Sequence, residues 1–185
     1  MNFKVFFINL EDNPQPWSKA QNLFSLLPNE IKNCLERIDA IDTRKSLNAL
    51  DDFGLKIDPV GIFYQLYFSQ SSGAAGCFLS HYSAWKKIID EDLDFALIVE
   101  DDIVISDLVN FLISNPEIDE SLELIQLGAR GWDGLEAYLL KNSGASKLIS
   151  CVKDASLLED CSPFDFIKHP SDALVKLKKE NLDYS

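Results

Sequence analysis

The chain has 185 residues, of which 46% are hydrophobic and 25% charged, a composition that suits a single domain over residues 1–185 with a buried core. Its net charge of -13 would repel a phosphate backbone, so we expect no nucleic-acid partner. The 4 cysteines show neither a CxxC spacing nor the density of a disulfide scaffold, and the start MNFKVFFINLEDN lacks a signal-peptide layout, so we expect reduced thiols and a cytoplasmic protein.

The first part of the chain predicts strands that alternate with helices. Residues 3–10, FKVFFINL, are rich in β-forming side chains and predict a central strand. A loop with two prolines, residues 11–16, then leads to a predicted helix over 17–27. A second strand is predicted at 36–41. It is followed by Asp42, an acid that either binds a ribose hydroxyl or caps the next helix.

The central stretch of the chain predicts a turn, a helix and a buried strand. Small residues favour a turn at 73–76, an amphipathic helix is predicted over 77–90, and five consecutive apolar residues predict a buried strand at 95–99. Helical spacing gives one apolar face that we expect to pack on the sheet, formed by Phe78, Tyr82, Trp85 and Ile89. His81 lies beside this face, where a packing role is favoured over a catalytic one.

Three carboxylates, Glu100, Asp101 and Asp102, follow the buried strand without a spacer. Ligands of open α/β sheets bind just beyond the carboxyl ends of the strands. Adjacent carboxylates repel one another unless a cation, a basic side chain or water compensates them. Oxygen ligands suit Mg²⁺ or Mn²⁺, which bridge carboxylates to nucleotide phosphates. The triplet therefore predicts a metal and nucleotide site, with a solvated acidic turn as the alternative.

The remaining elements continue the alternation of strands and helices. Ser106 and Asp107 predict the cap of a helix that runs to about residue 114. Further strands are predicted at 123–127 and 137–140, and a helix at 144–152. Strands that alternate with helices predict a largely parallel α/β sheet.

Several segments occur in the order of a known family: VFFINL, IDAID, GAAGCFLSHYSAWKKIID, ALIVEDDI, ELIQLG, AYLLKNSGASKLI and PFDF. Over roughly residues 3–168 the chain resembles glycosyltransferase family 25, the lipooligosaccharide and lipopolysaccharide galactosyltransferases of Gram-negative bacteria, and it is similar to collagen galactosyltransferases. The resemblance implies a GT-A-like fold, a Rossmann-type, mostly parallel sheet flanked by helices. It also implies metal-dependent, inverting transfer of a sugar, usually galactose, from a UDP-sugar to a glycolipid oligosaccharide, with at most peripheral contact with the inner membrane.

The resemblance assigns roles to the acidic triplet. Glu100 and Asp101 match residues that reach toward the donor. Glu100 and Asp102 match ligands of Mn²⁺ or Mg²⁺, the ion that neutralises the diphosphate leaving group.

The resemblance also implies roles outside the triplet. Asn9, Leu10 and Asp42 match the strand ends that hold the nucleoside, and Asp165 in PFDF matches a late catalytic acid. Because the chain stops at Ser185, where relatives continue, the expected fold is shortened at its C-terminal end. A second hypothesis follows: a truncated, catalytically inactive relative that retains a nucleotide-binding pocket.

Overall fold

The computed structural model describes residues 2–45, 73–114, 122–127 and 136–155. Its strands are β1 (Phe3–Asn9), β2 (Leu35–Asp39), β3 (Phe95–Glu100), β4 (Leu124–Gln126) and β5 (Ala137–Lys141). Its helices are α1 (Pro14–Phe24), α2 (Asn29–Lys32), α3 (Gly73–Asp90), α4 (Ile105–Ser114) and α5 (Asn142–Ala155). None of the described helices combines the length and the apolar character that a membrane crossing requires.

The strands form one sheet in the order β2-β1-β3-β5-β4. β1 runs parallel to β2 and β3, whereas β5 runs antiparallel to both of its neighbours. In this register Asn9 lies opposite Asp39, and Ile8 lies opposite Glu100, so the carboxyl ends of the three parallel strands meet at one edge. The predicted fold class is confirmed: a mostly parallel, GT-A-like α/β sheet flanked by helices.

Side chains alternate between the two faces of the sheet, because successive residues of a strand point to opposite sides. On β1, Phe6 and Ile8 join a core with α3 and α5, which we call the α3 face. Val5 and Phe7 join a second core with α1 and α4, which we call the α1 face. The two faces together place the apolar residues of the strands out of water and leave the strand ends open.

The predicted apolar face of the central helix is confirmed. Phe78, Tyr82 and Trp85 are at most 4% exposed, and Ile89 packs on the same core from a half-buried position. The strand predictions over residues 3–10, 36–41, 95–99 and 137–140 each match an observed strand to within one or two residues at either end.

The turn predicted at residues 73–76 is wrong, since these residues form the first turn of α3. A Cβ at Gly76 would lie 2.2 Å from the carbonyl oxygen of Ile41, so only a glycine lets α3 approach the chain beyond β2 this closely. One turn later, the Ser80 hydroxyl donates to the Gly76 carbonyl at 2.6 Å and accepts from the Ile41 N–H at 2.8 Å. Gly76 and Ser80 therefore serve docking of the helix.

Two predicted helix starts are also wrong. α1 begins at Pro14 and not at Trp17, because the first N–H groups of a helix have no partner within it and proline there loses nothing. α4 begins at Ile105, which puts Ser106 inside the helix instead of at its cap.

Candidate functional site

A cleft of about 390 Å³ opens at the carboxyl ends of the parallel strands. Its volume lies within the range of roughly 300–1,000 Å³ that is typical of small-molecule sites. The structure brings the residues expected to bind the donor to this one cleft, whose lining includes Asn9, Leu10, Asp42, Glu100 and Asp101. Asp102 follows directly in the turn after β3. Asp165 lies outside the described residues.

Asn9 links the ends of β1 and β3 from a buried position. It is 1% exposed, and its Nδ2 donates to the Asn13 carbonyl at 2.9 Å and to Asp101 Oδ2 at 2.7 Å. Its buried Oδ1 has no hydrogen-bond partner among the described residues. A buried acceptor left unpaired costs about 1–3 kcal/mol, so a bound group with a donor would be stabilised here.

Asp42 is held by a neighbouring cation at the edge of the cleft. Arg44 Nε donates to its Oδ1 at 2.6 Å and Nη2 to its Oδ2 at 2.8 Å, and the Arg44 backbone N–H also donates to Oδ1 at 3.1 Å. Hydrogen bonding from Arg44 lowers the pKa of Asp42 to about 2. The carboxylate is therefore ionised and orients a guanidinium at the cleft. The helix that it was predicted to cap lies outside the described residues.

Glu100 is held by two side chains of α3. Its Oε1 accepts from His81 Nε2 at 2.8 Å and from Cys77 Sγ at 3.5 Å. Burial raises the pKa of Glu100, but its interactions with His81 and then with Cys77 lower it by more, so the carboxyl ionises more readily than usual. Burial, and then the charge of Glu100, raise the pKa of the Cys77 thiol far above its ordinary value. An ionised carboxylate thus faces a protonated thiol.

Sequence reasoning placed His81 beside the core but missed its contact with Glu100. His81 is 1% exposed and its other ring nitrogen, Nδ1, lies 2.8 Å from the Tyr138 hydroxyl. The spacing of Cys77 and His81 was the available signal, because residues four apart share one side of a helix. Tyr138 gave no local signal, since its place beside His81 depends on β5.

The ligand atoms of Cys77, His81 and Glu100 all lie within 4.8 Å of one another, close enough to surround a metal ion. A thiolate and an imidazole suit zinc and similar ions, whereas Mg²⁺ and Mn²⁺ prefer oxygen. This group therefore differs in chemistry from the oxygen site that was predicted at Glu100 and Asp102.

Several carboxylates lie close to Asp102 and place negative charges near one another. Burial, and then the carboxylates of Glu100, Glu136 and Asp101, raise the pKa of Asp102. Glu136 was not foreseen; it directly precedes β5, and its carbonyl accepts the Glu100 N–H at 2.9 Å. Several carboxylate oxygens that repel one another fit a hard divalent cation. The residues present thus suit Mn²⁺ or Mg²⁺.

Comparison with known proteins places this cleft in a family context. The family model described as "Glycosyltransferase family 25 (LPS biosynthesis protein)" matches residues 2–133. A "Glycosyltransferase 25 family member" of Drosophila pseudoobscura pseudoobscura is 29% identical over 90% of this chain and 30% of its own length. Human procollagen galactosyltransferase 2 is 26% identical, with 90% and 31% covered. Mouse "Inactive glycosyltransferase 25 family member 3" is 29% identical, with 91% and 33% covered. The chain spans about a third of the length of these relatives.

Proposed function

Because the chain belongs to glycosyltransferase family 25, we propose that it transfers galactose from UDP-galactose to a sugar of a lipooligosaccharide or lipopolysaccharide. The observation that carries this proposal is the cleft itself, which combines a buried, unpaired acceptor on Asn9 with the acids that follow β3. The relative named as a procollagen galactosyltransferase supports galactose as the sugar. In this proposal the protein acts in the cytoplasm, at most in peripheral contact with the inner membrane.

The nucleoside half of the donor would occupy the side of the cleft formed by Asn9, Leu10 and Asp42. The Asn9 Oδ1 needs a donor, and a uracil N–H or a ribose hydroxyl is a group of that kind. The carboxylate of Asp42 is already bound by Arg44, so the pair would meet the donor as one unit.

The diphosphate half would lie toward the acids after β3. Glu100 and Asp102 would hold Mn²⁺ or Mg²⁺, which when bound supplies charge that stabilises the departing UDP. Asp101 is oriented by Asn9 and lies at the same edge of the sheet.

The chemistry proposed is a single displacement with inversion at the sugar. The acceptor oxygen forms the new bond to the anomeric carbon as the bond to UDP breaks, and a carboxylate takes the acceptor proton. Asp165 is our candidate for that carboxylate, and this role remains a prediction.

A non-catalytic function is the second candidate. The mouse relative carries the word inactive in its name, so a chain of this family can be described as lacking activity. In that case the cleft would bind a nucleotide without transfer.

A donor screen with purified protein and Mn²⁺ tests these alternatives. We expect UDP release from UDP-galactose that rises on addition of lipooligosaccharide, while a procollagen peptide serves as the competing acceptor. Asp102→Asn should lose metal-dependent UDP binding. Asp90→Asn, which makes the same change at the exposed end of α3, should not.

Each other outcome has a defined meaning. UDP release at the same rate with and without each acceptor would indicate hydrolysis of the donor. UDP binding without release would favour the non-catalytic candidate. Absence of UDP binding with Mn²⁺ would contradict both candidates.

A further inference from the structure

We propose that Trp85, Tyr138 and His81 form a buried chain of hydrogen bonds whose purpose is to position Glu100. In this hydrogen-bond chain His81 is a positioning residue. It acts neither as a metal ligand nor as a general base. The inference deepens the proposed function, on which it rests, because Glu100 is one of the acids assigned to the donor and its metal.

The chain joins three elements of the fold. Trp85 Nε1 lies 2.9 Å from the Tyr138 hydroxyl, which lies 2.8 Å from His81 Nδ1. His81 Nε2 then lies 2.8 Å from Glu100 Oε1. Trp85, Tyr138 and His81 are at most 1% exposed, so none of them exchanges partners with bulk water.

The donors and acceptors allow only one direction along this chain. An indole N–H only donates, so the Tyr138 oxygen accepts from Trp85, and an ionised carboxylate only accepts, so His81 Nε2 carries a proton. If Nδ1 were protonated as well, the Tyr138 O–H would have no acceptor among the described residues. In this arrangement Tyr138 donates to Nδ1, and His81 donates to Glu100 through the proton on Nε2.

These hydrogen bonds favour one of two interpretations of the Cys77, His81 and Glu100 group, because a metal ion would have to displace the protons that bind Glu100. An Nε2 atom that carries a proton has no lone pair for a metal ion. The Cys77 thiol likewise donates to Glu100 Oε1, so hydrogen bonding accounts for the closeness of all three side chains. Cys77 and His81 thus hold the Glu100 carboxylate in place through hydrogen bonds.

The consequence for Glu100 is a fixed orientation. Both donors bind Oε1, and no described residue donates to Oε2, which leaves that oxygen for the donor or its metal. Three other acids surround the end of β3, and an unheld carboxylate among them would rotate away from its neighbours. Fixed donors prevent this and hold the site ready for binding.

The first test observes the proton on His81 directly, without any ligand. The sequence has 2 histidines, so long-range ¹H–¹⁵N spectra of the imidazoles contain two sets of signals, which His169→Gln assigns. We expect Nε2 protonated and Nδ1 unprotonated in the wild type at neutral pH. The opposite tautomer, or an imidazolium, would overturn the assigned direction.

The second test asks whether His81 is instead a metal ligand. Co²⁺ added to the wild type should give no thiolate-to-cobalt absorption band, because Cys77 and His81 keep their protons. A band that disappears in both Cys77→Ser and His81→Gln would show that they bind metal, and the proposal would fail.

The third test measures the effect on the donor site. Calorimetry with UDP and Mn²⁺ should show affinity weaker by tenfold or more, on the order expected for a charge-assisted hydrogen bond, in His81→Leu. His81→Gln retains an amide N–H toward Glu100 and should recover most of the affinity. Ser83→Ala is the matched control, since its hydroxyl donates to the Leu79 carbonyl of the same helix and to no other described residue. Melting temperatures of all variants are compared in parallel.

The outcomes separate this inference from the proposed function. Equal affinity of the wild type and His81→Leu would refute the positioning role while leaving the proposed function standing. A wild type that binds no UDP would refute the proposed function, and with it the role assigned to Glu100. The imidazole spectra are recorded on the wild type without a ligand. They therefore test the hydrogen-bond chain in either case, and also if His81→Leu fails to fold.

Discussion

The two faces of the sheet bury different chemistry. The α1 face is built from apolar side chains such as Phe7, Phe24 and Leu97. The α3 face is as well buried, yet it includes the imidazole of His81 and the Ser80 hydroxyl, and its two largest aromatic residues bond through their polar atoms. Buried polar groups cost free energy unless they are hydrogen-bonded. The α3 face therefore combines packing with support for the cleft, whereas the α1 face provides packing.

The largest expected effect comes from removing the aromatic anchor of the α3 face. Trp85→Ala should destabilise the fold by about 3–5 kcal/mol, through a cavity and the loss of a donor to Tyr138. Leu97→Ala on the α1 face, at about 2–5 kcal/mol, is the counterpart. Urea unfolding measures both. An unchanged midpoint for Trp85→Ala would mean that α3 presents a different side to the sheet.

The next largest effects are expected at two glycines, one where α3 docks and one where α5 docks. Gly76→Ala and Gly144→Ala would bring a Cβ to 2.2 Å from the Ile41 oxygen and 2.8 Å from the Glu123 oxygen. Each should cost about 1–3 kcal/mol, the usual cost of overpacking. Only Gly76→Ala should also weaken UDP binding, because only it displaces the helix that carries His81. Equal UDP affinity in the two variants would show that the geometry of the cleft does not depend on how α3 docks.

A smaller effect is expected when only the central hydroxyl of the chain is removed. Tyr138→Phe leaves the Trp85 N–H and His81 Nδ1 without partners and should cost about 1–3 kcal/mol. Adding Trp85→Phe removes one of these unpaired groups. In a double-mutant cycle measured by urea unfolding, the double variant should therefore lose less stability than the sum of the losses in the two single variants. Strict additivity would show that the two side chains do not interact.

The smallest effect should be a gain. Burial and the neighbouring carboxylates raise the pKa of Asp102, so its ionised form opposes folding. Its folded pKa lies above its unfolded one, so the stability it contributes is present at acid pH and lost as the pH rises through the folded value. Asp102→Asn should therefore stabilise the ligand-free protein by about 0.5 kcal/mol at neutral pH, as expected for an exposed charge. Below about pH 3.9, the ordinary aspartate value, the gain should vanish.

Local patterns determined much of this protein. Periodic apolar residues predicted α3 and the side it turns to the sheet, and the apolar run at 95–99 predicted β3. Because ligands of α/β sheets bind at the carboxyl ends of the strands, Asp42 and Glu100 could be assigned to a cleft there, and both line it. Asn9, which also lines the cleft, was assigned from the family resemblance. These features depend on short-range periodicity and on a general rule of sheet geometry.

Tertiary structure alone decided how the cleft is supported. The direction of β5 is set by how the chain returns to the sheet, which no local pattern records, and its antiparallel course brings Tyr138 to His81 and Glu136 to the vicinity of Asp102. The small residues at 73–76 predicted a turn, but the nearness of the Ile41 carbonyl gives Gly76 a place in a helix. Contacts between residues far apart in sequence depend on packing, and periodicity within one segment carries no information about its partner.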